Sequence, residues 1–199
     1  MAITYPVDFP TINSKSIVQK CSFKLVESAA ITQSATNFLQ LTTSFGQARW
    51  EAEITIRPLD KDEAKVFTAF LASLRGVTKT FLFGNPIMSY DTNIPVATIS
   101  QTSQGDTQVS IDVTAGQDLK AGSHFQIGSN LHMILEDVPL SGGSQLTEVT
   151  PPIRSNFGTG NITTNNPVGK WRLATNDIGW DIDVSSRYGF SFACVEVVA

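Results

Sequence analysis

The sequence predicts a mainly β chain with one flanking α-helix, interrupted by a small inserted β block. Three observations carry that prediction. Residues 49–57 alternate apolar and polar with a strict period of two, residues 61–75 carry one capped amphipathic helix pattern, and residues 94–153 hold five short alternating segments between turn signals. The chain has 199 residues, 41% of them hydrophobic, with 14 Lys+Arg, 18 Asp+Glu and a formal charge of -4. Only 16% are charged, against about 25% in ordinary soluble domains, so much of the surface is expected to be uncharged polar or covered by partners. No apolar run approaches the roughly 20 residues of a membrane span, and no basic, apolar leader opens the chain, so no membrane is expected as a partner and the protein is expected in the cytosol unless an assembly carries it out. The acidic balance argues against nucleic-acid binding by counterion release.

Taken in order, residues 1–11 include Pro6 and Pro10, which lock φ and withhold amide donors, so they read as an extended arm lying along the domain or across a neighbour. Residues 16–26 alternate loosely as a half-buried strand, and residues 29–48, rich in Ser, Thr and Gln, read as a long loop or short hairpin. In the segment 49–57, Trp50, Ala52, Ile54 and Ile56 share one face, while Arg49, Glu51, Glu53, Thr55 and Arg57 share the other, wet one. Pro58 is expected to end the strand. Asp60 with Glu63 forms a capping-box pattern, and Ala64, Phe67, Phe70, Leu71 and Leu74 then lay an apolar stripe along the helix, which Gly76 can close in the left-handed conformation. Residues 78–83 read as a further strand.

Within the middle block, strands are expected at 96–100, 108–113, 124–127, 131–138 and 145–150, the spacing of a small barrel or sandwich. Residues 156–169 read as a glycine-rich linker, and 170–174, 179–184 and 188–198 as closing strands with Trp171, Trp180, Ile182 and Val184 turned inward. The expected organisation is therefore one domain of residues 1–93 plus 156–199, with 1–14 as its arm, interrupted by a second at 94–155.

Side chains with chemistry to offer are few. Cys21 and Cys194 are expected to stay reduced as buried thiols, although the sequence leaves open whether they pair. His124 and His132 lack the CxxC or HxxxH company of a zinc site and read as strand residues. Asp177, Asp181 and Asp183 lack the glycine-centred calcium-loop pattern, and Asp106, Asp112 and Asp118 adjoin turns, so both sets read as solvated carboxylates. The run from Gly189 to Ala193 faintly echoes an esterase elbow, but both histidines precede its Ser191, and Gly158 and Gly160 lack the rest of a phosphate loop. Trp50, Trp171 and Trp180 read as core residues in preference to a sugar platform. No catalytic residues, metal ligands or cofactor are expected, and the chain is not expected to be an enzyme.

The series Arg49 to Ile56, Pro58-Leu59, Ala69-Phe70-Leu71, Leu74-Arg75-Gly76 and Phe81 to Pro86 resembles the N-terminal part of phage tail hub proteins. Leu119, Ala121-Gly122, Phe125, Ile127-Gly128, Leu131-His132, Asp137 and Pro151 to Arg154 resemble the inserted β domain of distal tail proteins of long-tailed (siphovirus-like) bacteriophages, and Trp171 to Leu173 and residues 188–198 their last strands. Ser123, where many relatives carry an acidic residue, and the long 156–169 segment depart from the pattern. The resemblance implies a tail-tube-like β-sandwich or split barrel with one flanking helix and an inserted small β-barrel. It further implies a homo-oligomeric, commonly hexameric ring in the virion, built in the host cytoplasm, that joins the tail tube protein to tail tip and baseplate hub proteins. DNA would cross it without being bound, and Glu51 and Glu53 would be candidates for an acidic lumen, with Arg49 and Arg57 in pairs between subunits. A tail-tube or tail-terminator subunit, or a carbohydrate-binding module of the tail tip, is the alternative.

Overall fold

In the computed structural model, which describes residues 3–12, 15–86, 90, 92–182 and 187–198, the chain folds into two sheets with one helix. The chain begins with β1 (Val7–Asp8), β2 (Val18–Gln33), β3 (Gln40–Leu59), α1 (Lys61–Leu74) and β4 (Phe81–Phe83). It then builds β5 (Val96–Ile99), β6 (Gln108–Ala115), β7 (His124–Ile127), β8 (Asn130–Ile134), β9 (Gln145–Thr150) and β10 (Gly160–Ile162), and returns as β11 (Gly169–Leu173), β12 (Asp181–Ile182) and β13 (Tyr188–Glu196). The first sheet runs β1-β4-β11-β13-β3-β2, with β12 paired to the start of β13. The second runs β10-β5-β6-β9-β8-β7, and reciprocal backbone bonds between Gln126 and Thr163 bring its two ends together, so it is a barrel in all but one short seam. The fold is mainly β, as the alternation predicted.

The period-two residues of β3 decide the first sheet. Trp50, Ala52, Ile54 and Ile56 are all buried, and they face α1 together with Phe81, Trp171, Leu173, Phe190 and Cys194. The helix stands where its cap predicts: Asp60 accepts from the amides of Asp62 and Glu63, and the Glu63 carboxylate accepts from the Asp60 amide. Left-handed closure comes at Arg75, with φ 50°, one residue before Gly76. Phe67 is fully buried with its ring 4.9 Å from that of Phe190, a contribution of about 2–3 kcal/mol from burial. The proline-rich arm lies along its own sheet: β1 pairs parallel with β4, and Phe9 sits among the rings of Phe67, Phe70, Phe81 and Phe83.

Four expectations are corrected. Pro58 does not end β3, which runs one residue further to Leu59. Of the two readings of residues 29–48 the hairpin is the one that forms, but it is long: they are the outer half of the β2-β3 hairpin, paired to Gln33 and Gln40, with only residues 34–39 as its turn. The segment read as a linker contributes β10, which pairs with β5 and buries Ile162 in the barrel core beside Phe157. Trp180 and Ile182 are not inward anchors but are 45% and 60% exposed: they lie at the rim beside α1, where β12 is only a two-residue edge strand. Asp183 and Val184 lie outside the described residues.

Candidate functional site

The wet face of the first sheet can be read off its register. Arg49, Glu51, Glu53 and Thr55 alternate outward on β3, with Lys24 opposite Glu51, Ser22 opposite Glu53 and Lys20 opposite Thr55 on β2. On the other side, Val195 of β13 is opposite Glu51, and Arg172 of β11 is opposite Val195. Lys170, two residues before Arg172, points the same way. The structure therefore gathers Arg49, Glu51 and Glu53 on one face, but among cations that the alternation of a single strand could not reveal. Both guanidiniums expected in pairs between subunits have partners within the chain: Arg49 Nη2 lies 2.7 Å from Glu51 Oε1, and Arg57 Nη2 lies 2.7 Å from Glu63 Oε1. The latter pair lowers the Glu63 pKa, chiefly through the hydrogen bond from Arg57.

Beyond this face the outer half of the hairpin stands in solvent. Ile31, Phe38, Leu39, Leu41 and Phe45 are each 60–74% exposed. From Ser28 to Ala48 there is no charged residue at all. Leu39 stands just before β3, Leu41 lies opposite Thr32, and Phe45 lies where the pairing shifts between Ser44 and Ala48. A two-stranded ribbon is marginal in water by itself, and this one exposes Ile31, Phe38, Leu39, Leu41 and Phe45 with no described element packed over them. Its β2 strand is also the open edge of the first sheet.

The two sheets are joined by a buried polar contact that the sequence did not disclose. Arg154, four residues past β9, is 5% exposed and reaches into the first sheet, where Nη2 donates to the Ala48 carbonyl and, at 2.8 Å, to Glu196 Oε2. The same oxygen accepts from the Trp50 amide, and Trp50 Nε1 donates to the Leu131 carbonyl at the foot of the barrel. Burial raises the Glu196 pKa, against the attraction of Arg154 and the Trp50 hydrogen bond. Two histidines flank this junction. His124 lies against the rings of Trp50 and Phe23 with neither nitrogen bonded, and His132 stacks on Phe125 with Nδ1 2.9 Å from the Pro151 carbonyl. Because that carbonyl can only accept, Nδ1 carries the proton. Burial pushes both imidazoles down to about 4.

The chain matches no family model and no curated protein.

The remaining candidates are scattered. Cys21 and Cys194 are free thiols separated by β3, opposite Ile54 and Ala52 respectively, and burial pushes the Cys21 thiol up to about 11. Asp118 and Asp137 tie down turns through the amides of Leu140 and Ala121 and share Lys120, while Asp106 accepts from the Ser103 amide. Asp177 and Asp181 are exposed, and no group of three metal-ligating side chains occurs among the described residues. Ser191 stands exposed on β13 with its hydroxyl 3.5 Å from that of Thr55. Trp50 and Trp171 are buried and Trp180 is half-exposed beside α1. No helix of the described residues is long and apolar enough to cross a membrane. What the arrangement offers chemically is contact: one charged face, one uncharged hairpin with exposed apolar side chains, and the β2 sheet edge.

Proposed function

We propose that the chain is a structural subunit that assembles with copies of itself into a ring, joining a phage tail tube to the tail tip and leaving a channel for DNA. The observation that carries this reading is the hairpin. Twenty-one consecutive residues without a charge, with Leu39, Leu41 and Phe45 exposed among them, extend the β2 edge of the first sheet into solvent. Exposed apolar surface of this kind marks an interface, and depletion of charge marks the core of one. A ribbon that leaves its own sheet to meet a different surface on the next copy makes a head-to-tail contact, and such contacts close into rings or run on as filaments. The resemblance of the strand, helix and inserted block to distal tail proteins of long-tailed phages supplies the rest: the tube and tip proteins as partners, and the barrel as the projecting part.

Negative-stain imaging of the purified protein, with light scattering for mass, tests the reading. Rings with a central hole are expected, and Leu39→Ser/Leu41→Ser/Phe45→Ser is expected to yield folded monomers with an unchanged circular dichroism spectrum. Compact monomers of the native chain at high concentration would overturn it.

A further inference from the structure

The chain's net charge is not spread evenly. Residues 94–165 carry six carboxylates, Asp106, Asp112, Asp118, Glu136, Asp137 and Glu148, against Lys120 and Arg154, which accounts for all of the chain's -4. The remaining residues are balanced, with 12 cations and 12 carboxylates. The sheet that the net charge describes as acidic is thus free to be locally basic, and on its wet face it is. Two adjoining rows of the register hold Lys24, Glu51, Val195 and Arg172 in one and Val26, Arg49 and Lys170 in the other. Lys20 follows two positions along from Ser22.

Pairing sharpens the imbalance. Glu51 is taken up by Arg49 at 2.7 Å, whereas Lys20, Lys24, Lys170 and Arg172 make no ion pair among the described residues. Among the described residues of β2, β3, β11 and β13 the exposed carboxylates without an ion pair are Glu53 and, at the end of the face beside Arg49, Glu27, with Asp177 on the loop beyond and Asp8 on the far β1 edge. From β2 to β11 the unpaired cations span three strand spacings, about 14 Å. The face is concave, with Ser22, Lys24, Arg49, Glu51, Glu53 and Val195 lining one cavity and Lys170 and Arg172 half-buried on β11, and it carries spare donors of the kind that meet phosphate oxygens as point charges or forks.

We propose that this face contacts the phosphate backbone of duplex DNA through Lys24, Lys170 and Arg172, with Lys20 at its margin. The proposal rests on the ring reading above for the placement of the face along a channel, and it reverses the acidic lumen that Glu51 and Glu53 alone imply. Contact is weak and independent of sequence, because the donors are few and phosphate oxygens carry no sequence information. Three phosphates neutralised give a slope of log K against log salt of about -2.7, a loss of about 40-fold between 50 and 200 mM salt.

The test is fluorescence anisotropy of a labelled 30-base-pair duplex titrated with the full chain at several salt concentrations, with negative-stain imaging of the same samples. Lys24→Gln/Arg172→Gln is expected to flatten the slope to about -0.9, and Glu53→Gln to strengthen binding while leaving the two cations in place. Rings that bind no DNA, an unchanged slope in the double variant, or weaker binding by Glu53→Gln would overturn the proposal and leave the ring reading standing. Salt-dependent binding by a chain that forms no rings would support the cationic face and overturn the ring. Equal binding of polyglutamate in place of DNA would overturn the choice of partner.

Discussion

Lowering the pH from 7 to 5 should destabilise the protein through two side chains at the junction of its sheets. His124 and His132 are 6% and 0% exposed, and burial depresses both to about 4 from an ordinary value near 6.5. A folded pKa below the unfolded one means that the neutral imidazole is the stabilised form, so this contribution is present above pH 6.5 and is lost as the pH falls toward 4. At pH 5 the unfolded chain has bound nearly one proton per imidazole and the folded chain almost none, which costs about 2 kcal/mol for each histidine, or about 4 kcal/mol together. Glu196 acts in the opposite sense, since burial raises its pKa and acidification relieves its buried charge, so the sum is an upper figure. For a chain of this length about 4 kcal/mol is a fall in Tm of roughly 8–16 °C. Thermal melts at pH 7 and pH 5 measure it, and His124→Phe isolates half of it: the ring exchanges two unbonded buried nitrogens for carbon beside Trp50 and Phe23. That variant should match or exceed the native Tm at pH 7 and show about half the native fall at pH 5. Parallel pH curves for native chain and variant would refute the reasoning.

Other perturbations follow from single contacts. Arg154→Met leaves the Glu196 carboxylate buried without its cation and the Ala48 carbonyl without its donor; a loss of about 3–5 kcal/mol by urea unfolding is expected, largely recovered in Arg154→Met/Glu196→Leu. Asp60→Ala removes the acceptor for the Asp62 and Glu63 amides and should cost about 1 kcal/mol, read as a lower urea midpoint at constant m. Gly116→Ala would set a Cβ 2.0 Å from the Ile94 carbonyl oxygen at a residue with φ of +89°, so a loss of at least about 2 kcal/mol is expected in thermal melts.

The elements legible in the sequence are those whose own residues face the core. β3 shows its period because every second residue from Trp50 to Ile56 is buried, and α1 shows its start because Asp60 and Glu63 complete a box within four residues. The outer hairpin shows no period because none of the described elements packs over its exposed Leu39, Leu41 and Phe45, and polar neighbours on both strands surround them. β10 is defined by what it pairs with. Its Gly160-Asn161-Ile162 has no strand preference, and β5 with the Gln126 seam supplies the partners. The wet face was half legible, since the alternation of β3 placed Glu51 and Glu53 outward but could not say that Lys24 and Arg172 lie one and two strands away. Glu196 follows Cys194 at an interval of two and so inherits an inward direction, yet its cation lies 42 residues earlier, beyond any local pattern.

The barrel's two chain crossings run side by side. Thr164 donates to the Pro95 carbonyl where the chain enters and leaves it, Gly84 lies against Pro167, and β4 and β11 on either flank are antiparallel neighbours with Phe83 opposite Gly169. The barrel therefore occupies the place of a hairpin turn, and the strand order of the first sheet does not depend on what fills that turn. An evolving lineage can exchange the whole module, lengthen it or reduce it to a few residues while keeping the first sheet and its hairpin. One condition travels with the exchange: any replacement must bring a donor for Glu196, or the lineage must lose that carboxylate first.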